Sequence, residues 1–228
     1  MKKYLEILLR SPLFRGITAE ELERLLPCLG GGVRHYPAGA AILLAGSPAG
    51  QMGLVLSGRA RVVREEFSGS RSLLAELEPG ELFAETFACA PALPGGLPVS
   101  VLAVEDCDVL LLSLGRVVGV CANACPFHTR LVQNLLGVLA EKNLALNRRM
   151  LHLSRRSTRE KLLSYLSEQA ALAGGRSFSI PFGRQELADY LCVERSAMSA
   201  VLSRLRAEGV LETNRNQFRL LRLPEEEL

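Results

Sequence analysis

The apolar positions of this chain change their rhythm along its length. Over residues 1–30 they follow a helical spacing: Leu5, Leu8 and Leu9 share a face, and leucines recur from Glu20 to Leu29. Thr18 with Glu21 three residues later is a capping box that predicts where the second helix starts. From Gly30 to about Leu114 short apolar runs alternate with turn residues at Gly39, Gly46-Ser47-Pro48, Ser57-Gly58, Ser68-Gly69, Pro79-Gly80 and Pro94-Gly95-Gly96. Turns roughly ten residues apart predict a compact all-β barrel or sandwich. The clearest strands are Leu54-Val55-Leu56, Ala60-Arg61-Val62-Val63, Leu73-Leu74-Ala75 and Val109-Leu110-Leu111-Leu112.

Residues 127–153 return to a helical rhythm. Val132, Leu136, Leu139, Asn143, Leu146, Met150 and Leu153 step alternately by four and three, the a/d repeat of a coiled-coil seam. Asn143 is the polar exception. A buried Asn at an a position sets register by pairing with its symmetry mate. Two readings stay open: a dimerisation helix, or an amphipathic core helix with Asn143 turned to water. Ser157-Thr158-Arg159-Glu160 then opens a helix running to about Ala173, and Gly174-Gly175 stops it. Phe178-Ser179-Ile180 alternates like a short strand.

The stretch from Phe182 to Leu220 reads FGRQELADYLCVERSAMSAVLSRLRAEGVLETNRNQFRL. Arg184-Gln185-Glu186-Leu187-Ala188 begins a short helix, with Ala188 small where a second helix crosses. Leu191-Cys192-Val193 is a tight turn whose Val193 plugs the core. Arg195 to Ala207 is an amphipathic helix with Met198, Val201, Leu202 and Leu205 inward. Its other face presents Arg195, Ser196, Ser199, Ala200 and Arg204, and Gly209 stops it. Leu211 to Leu220 reads as a two-stranded wing with Asn214, Arg215 and Asn216 at the tip. This order is helix, turn, recognition helix and wing. A helix fits the major groove, where its N-terminal residues reach base edges. Small Ser196 and Ser199 allow close approach, and Arg195 suits a guanine edge or a phosphate. The competing reading is a helical hairpin packed only for stability.

Composition sharpens this in a few places. Net charge is +3, but residues 154–222 hold 12 Lys and Arg against 7 Asp and Glu, while residues 1–153 hold 15 against 14. The C-terminal third is therefore mildly basic, which suits phosphate contacts and equally an ordinary solvated surface. No apolar run is long enough for a membrane span and no signal peptide is read at the N-terminus, so a cytoplasmic location is expected. The six cysteines are scattered, as reduced thiols would be. Cys89, Cys107 and Cys192 sit in apolar settings and read as core. The three histidines, at 35, 128 and 152, fall in no nucleophile, nucleotide-binding or metal-hydrolase motif, and the chain is expected not to be an enzyme.

At these residues the chain resembles the Crp/Fnr family, the relatives of the cyclic-AMP receptor protein. The resemblance spans nearly the whole length. It is carried by Ser57-Gly58 after a strand, by Pro79-Gly80-Glu81-Leu82-Phe83-Ala84-Glu85, by the long helix, by Ser157-Thr158-Arg159-Glu160-Lys161-Leu162-Leu163 and by Arg184-Gln185-Glu186-Leu187-Ala188. It implies an α+β fold: a cyclic-nucleotide-binding-like β-roll sensor over residues 1–122, a dimerisation helix over 123–153 and a winged helix-turn-helix over 154–228. It implies a homodimer on a palindromic operator in double-stranded DNA, with RNA polymerase a candidate partner. The expected DNA-binding residues are Arg184, Gln185, Arg195, Ser196, Ser199, Arg204, Asn214 and Arg215. Ala200 stands where the family often has Arg, so half-site preference does not transfer. The expected dimer interface is Val132, Leu136, Leu139, Asn143, Leu146 and Met150.

In the family a Glu in the motif ending at Glu85 holds a ribose hydroxyl, and an Arg about ten residues on pairs with the cyclic phosphate. Residues 86–104 contain no Arg or Lys. A phosphate buried there would stay uncompensated, which argues against cyclic AMP. The effector-pocket candidates for another small molecule are Phe83, Glu85, Thr86, Phe87 and Val99, with Arg130 or Asn134 approaching from the long helix. The alternative for Glu85 is a structural acid bonded to backbone. Cys121, Cys125 and His128 have a spacing that a metal or a redox pair could use, though no fourth ligand is evident and packing thiols show the same spacing. No cofactor is expected. The remaining alternative for the whole chain is a sensor module that acts through protein contacts without reading DNA.

Overall fold

The capping box at Thr18 forms as the sequence predicts: the Glu21 amide donates to Thr18 Oγ1 at 3.3 Å and the Thr18 amide to Glu21 Oε2 at 2.9 Å. It opens α2 (Ala19–Cys28), which follows α1 (Leu5–Arg10) and a 3-10 turn at Pro12–Phe14. Leu8 is fully buried but Leu9 is exposed, because neighbours on a helix lie about 100° apart and only one can face the core. The computed structural model describes residues 2–65, 71–90, 95–119 and 126–222. They divide into two compact units, Met1–Glu141 and Lys142–Leu228.

In the first unit two antiparallel four-stranded sheets follow the helices. One has the order β1-β8-β3-β6, built from β1 (Gly32–Tyr36), β8 (Cys107–Ser113), β3 (Gln51–Ser57) and β6 (Leu82–Phe83). The other has the order β2-β7-β4-β5, built from β2 (Ala41–Leu43), β7 (Ser100–Ala103), β4 (Ala60–Glu65) and β5 (Arg71–Leu77). Strands β3 and β8 are the apolar runs most easily seen in the sequence because both of their faces are covered. Val55, Val109 and Leu111 face a core with Ile42, Ala60, Phe83 and Val101. Met52, Leu54, Leu110 and Leu112 face a second core with Leu8, Phe14, Leu22 and Leu25. Leu73 and Leu74 on β5 remain exposed.

Gly53 and Gly58 are each required. Gly53 pairs with Phe83 across the sheet, and a Cβ on it would lie 2.1 Å from the Phe83 ring. Gly58 has φ +73, and a Cβ there would lie 2.2 Å from the Asp106 carbonyl oxygen.

Two helices in this unit were not read from the sequence, α3 (Glu85–Ala88) and α4 (Leu114–Val118). The long helix α5 (Pro126–Leu153) follows, and the boundary between the two units falls within it. Its Phe127, Leu131, Leu135 and Val138 are buried in the helical core of the first unit. The seam residues Val132 and Leu139 are half-buried, while Leu136, Asn143, Leu146 and Met150 are exposed. One stripe of this helix is thus core and another, which includes Asn143, is open.

The second unit continues with α6 (Thr158–Leu172), β9 (Ser177–Ser179), α7 (Arg184–Tyr190), α8 (Arg195–Ala207), β10 (Leu211–Asn214) and β11 (Gln217–Leu220). The strands form an antiparallel sheet of order β10-β11-β9. Helix α6 starts where expected, at a capping box, with the Glu160 amide on Ser157 Oγ at 3.2 Å and the Ser157 amide on Glu160 Oε2 at 3.1 Å. Such a box contributes about 1 kcal/mol. Leu162, Leu166, Leu187, Ala188, Leu191, Met198, Leu202 and Leu205 build a separate core, against which Val193 packs half-buried.

Candidate nucleic-acid interface

Helix α8 sets one face inward and one face to solvent. Met198, Leu202 and Leu205 are buried with Val201 half-buried, whereas Arg195, Ser196, Ser199, Ala200 and Arg204 are exposed. The i, i+4, i+7 spacing of the buried set anchors the helix, and the N-terminal turn is left free to present side chains. Arg195, Arg204 and Arg215 have no ion-pair partner among the described residues, in contrast to Arg219 on Glu212 at 3.7 Å and Arg159 on Glu208 at 2.6 Å. An unpaired guanidinium is ready for a phosphate or a guanine edge without first losing an internal bond.

The wing is a tight hairpin. Asn214 pairs with Gln217, leaving Arg215 and Asn216 as the loop. Asn216 ties the loop to the end of β9: the Ile180 amide donates to its carbonyl oxygen at 2.9 Å, and its Nδ2 donates to the Ile180 carbonyl oxygen at 3.3 Å. Arg215 has φ +52, in the left-handed region. That region costs a residue with a Cβ about 1 kcal/mol, and Gly or Asn is the usual occupant of such a loop. A strained, exposed, unpaired Arg at a wing tip points to use of its side chain.

Arg184 and Gln185 behave differently from the arginines of α8. Arg184 is half-buried, donates from Nη2 to Thr213 Oγ1 at 2.9 Å, and lies 5.1 Å over the Phe218 ring. Burial, and after it the charge on Arg206, lowers its pKa from the ordinary arginine value. It fastens the start of α7 to the wing. Gln185 is exposed and donates from Nε2 to Asp189 Oδ1 at 2.9 Å. Arg206 was not singled out in the sequence. It is exposed, close enough to Arg184 to depress its pKa, and has no ion-pair partner among the described residues. Its spacing of eleven from Arg195 puts it near the same helix face, a signal available in the sequence.

In the β-roll, Phe83 and Val99 are buried, Phe87 is half-buried and Thr86 is exposed. Glu85 opens α3 with only 3% of its surface exposed, and the Thr86 hydroxyl donates to its Oε1 at 3.4 Å. The preceding Ala84 has φ +60, again left-handed and without glycine. Arg130 and Asn134 do not approach these residues as expected. Asn134 Nδ2 donates to the carbonyl oxygens of Leu13 at 3.0 Å and Arg15 at 2.8 Å. Arg130 Nη1 donates to the Gly16 carbonyl and lies 3.4 Å from Glu21 Oε2. Both are bound to the N-terminal segment because its Pro12–Phe14 turn leaves carbonyls without helical donors.

Cys107 is buried as expected, but Cys89 and Cys192 are exposed, each at the end of a short helix where the chain turns outward. Cys121 and Cys125 lie outside the described residues. His128 is buried, with Nε2 at 2.8 Å from the Val117 carbonyl oxygen. No group of three metal-ligating side chains is found among the described residues.

Comparison with known proteins finds two family domains in the chain. The cyclic nucleotide-binding domain profile matches residues 33–124, and the Crp-like helix-turn-helix domain profile matches residues 160–225. The cyclic AMP receptor protein of Thermus thermophilus is 31% identical over 201 residues, covering 88% of each chain. The transcriptional activator protein FnrL of Cereibacter sphaeroides is 26% identical over 193 residues, covering 78% of this chain and 71% of its own. Among solved structures, that of CprK complexed with OCPA superposes with a TM-score of 0.62 at 16% identity, covering 90% of this chain and 93% of the other.

Proposed function

This chain belongs to the Crp/Fnr family of transcription regulators, and from that premise we propose that it acts in the cytoplasm, without catalysis, as a homodimer that reads a palindromic operator and answers to a small-molecule or redox signal in its β-roll. The observation that carries the DNA reading is the division of α8: Met198, Leu202 and Leu205 hold it down while unpaired Arg195 and the small Ser196 and Ser199 stand at its exposed N-terminal turns. Arg195 would read a base edge, and Arg204, Arg206 and Arg215 would meet phosphates on either side. Dimerisation is supported by the open stripe on α5, where Leu136 is 61% exposed, Leu146 61% and Met150 65%. Covering three such side chains is worth several kcal/mol at roughly 1.5–3 kcal/mol each. Leu146→Asp is expected to convert the protein to monomers by light scattering.

The signal is proposed to be less charged than a cyclic nucleotide. Glu85 is buried, but residues 86–104 supply no cation to face a phosphate. Cyclic AMP is expected to leave the Tm unchanged in a thermal-shift titration. The test of the central reading is selection of bound fragments from random duplex DNA, with Arg195→Ala in parallel. A palindrome recovered by the wild type and lost or blurred by the variant is expected. No enrichment by either protein, reduced, oxidised or in cell extract, overturns the reading in favour of a module that binds protein alone.

A further inference from the structure

The turn between α7 and α8 sets where the recognition helix points, and its backbone is held by cations from two other helices. Helix α7 ends at Tyr190; the amides of Leu191, Cys192 and Val193 donate to the carbonyls of Leu187, Asp189 and Ala188, and among the described residues no backbone amide donates to the Tyr190 carbonyl. Lys161 on α6 donates from Nζ to the Leu191 carbonyl oxygen at 3.4 Å. Arg149 on α5 donates from Nε to the Tyr190 carbonyl oxygen at 3.0 Å and from Nη2 to that of Asp189 at 3.4 Å. Its guanidinium also lies 5.0 Å over the Tyr190 ring. A cation at a helix C-terminus is favoured by the helix dipole, and the planar guanidinium presents donors to two carbonyls in a fixed fork. Arg149 is half-buried within a run, residues 141–151, that is otherwise exposed. It immediately precedes Met150 of the open seam. The turn it grips is tight: Cys192 has φ +51, its amide donates to Asp189 at 3.2 Å, and the Val193 amide donates to Ala188 at 3.0 Å.

We propose that Arg149 is a positioning residue for DNA readout, a two-carbonyl clamp that ties the last turns of the dimerisation helix to the helix-turn-helix and so passes changes at the seam to the recognition helix. The inference rests on the regulator reading above. Arg149 is not assigned to touch DNA; it acts through the 189–193 turn. Any shift of its helix along the seam is then felt at the turn without passing through the wing.

The experiment uses the full-length chain and the duplex recovered from the selection, with wild type, Arg149→Gln and Arg149→Lys. Affinity is measured over a salt series, and amide hydrogen exchange is followed at Cys192 and Val193 and, as controls, at Leu166 and Ala170 in α6. Arg149→Gln is expected to bind about tenfold more weakly, with an unchanged slope of log affinity against log salt. Exchange is expected to speed up at Cys192 and Val193 and not at the controls, and Arg149→Lys is expected to recover part of each effect. Unchanged affinity overturns the proposal. So does a salt slope shallower by about one, which would mark a direct phosphate contact, or faster exchange at the controls. If the wild type enriches no DNA, the regulator reading fails by itself, and exchange at Cys192 and Val193 then decides whether the clamp exists.

Discussion

The two halves of α5 are fastened in different ways. Residues 126–141 are held mainly by an apolar stripe, with Phe127, Leu131, Leu135 and Val138 sunk in the helical core of the first unit and the hydrogen bonds of His128, Arg130 and Asn134 beside it. In residues 142–153 the holding is polar and aromatic. Arg149 grips the α7 carbonyls, and His152 is buried with Nδ1 at 2.9 Å from Ser164 Oγ and Nε2 at 2.9 Å from Glu168 Oε2. The His152 ring also meets Tyr165 edge-on at 5.7 Å, and Tyr190 lies 5.5 Å from Tyr165. Burial, with Tyr190 and Glu168 after it, pushes the Tyr165 pKa up to about 12, so this cluster keeps a neutral phenol. Apolar contacts are strong and non-directional; hydrogen bonds are weaker but fix orientation. The first half therefore rests mostly on apolar burial, and the second half on directional bonds within its own unit.

Leu131→Ala should have the largest effect. Emptying a fully buried site should cost the first unit about 3 kcal/mol in denaturant unfolding. A loss near zero would mean that the apolar stripe does not anchor α5. His152→Ala is expected to cost the second unit about 2 kcal/mol, because it leaves Ser164 and Glu168 without their buried partner. If its cost equals that of a surface change, the polar attachment is ornamental and the contrast between the halves fails.

The first unit has a directional cluster around Asp108, and it gives a pH signature. Asp108 accepts from the Tyr4 hydroxyl, from Ser57 Oγ at 3.1 Å and from His35 Nδ1 at 2.9 Å, with Lys3 Nζ at 3.5 Å. The Tyr4 hydrogen bond first, then His35, Ser57 and Lys3, hold its carboxyl well below the ordinary aspartate value of 3.8. A depressed carboxyl contributes stability that is present above pH 3.8 and is lost as pH falls from there through its folded value. Thermal unfolding of Asp108→Asn should therefore show a flatter decline below about pH 4 than the wild type. An unchanged slope there would remove Asp108 from the acid response.

The smallest effect sets stability against function at the wing. Arg215→Gly relieves a left-handed φ and should raise the Tm of the second unit by the equivalent of about 0.5–1 kcal/mol. It should weaken operator binding and make the salt slope shallower by about one. Gains in both stability and affinity would mean that the strained Arg has no role on DNA.

Much of this was legible because it depends on neighbours in sequence. The capping box at Thr18, the start of α6 at Ser157, the bounds Arg195–Ala207 of α8, the wing hairpin and the strands β3 and β8 all follow from spacing and turn chemistry, although Asn214, expected at the wing tip, is paired in β10. The same local signals failed at Leu9, Cys89 and Cys192, where apolar character was read as burial and short helices turned the side chains out. Four-residue α3 and five-residue α4 are too short to show a period.

The sequence by itself determined the order of the longer elements, the face of α8 that must be buried and the absence of a cation along residues 86–104, since periodicity, capping and composition are properties of the chain. Only the tertiary structure decided what the long polar side chains do. Arg130 and Asn134 serve the carbonyls of residues 13–16, Arg184 serves Thr213, and Arg149 serves the helix-turn-helix. An arginine reaches several ångströms in any direction, and its partner is whichever carbonyl or hydroxyl the fold leaves without a donor.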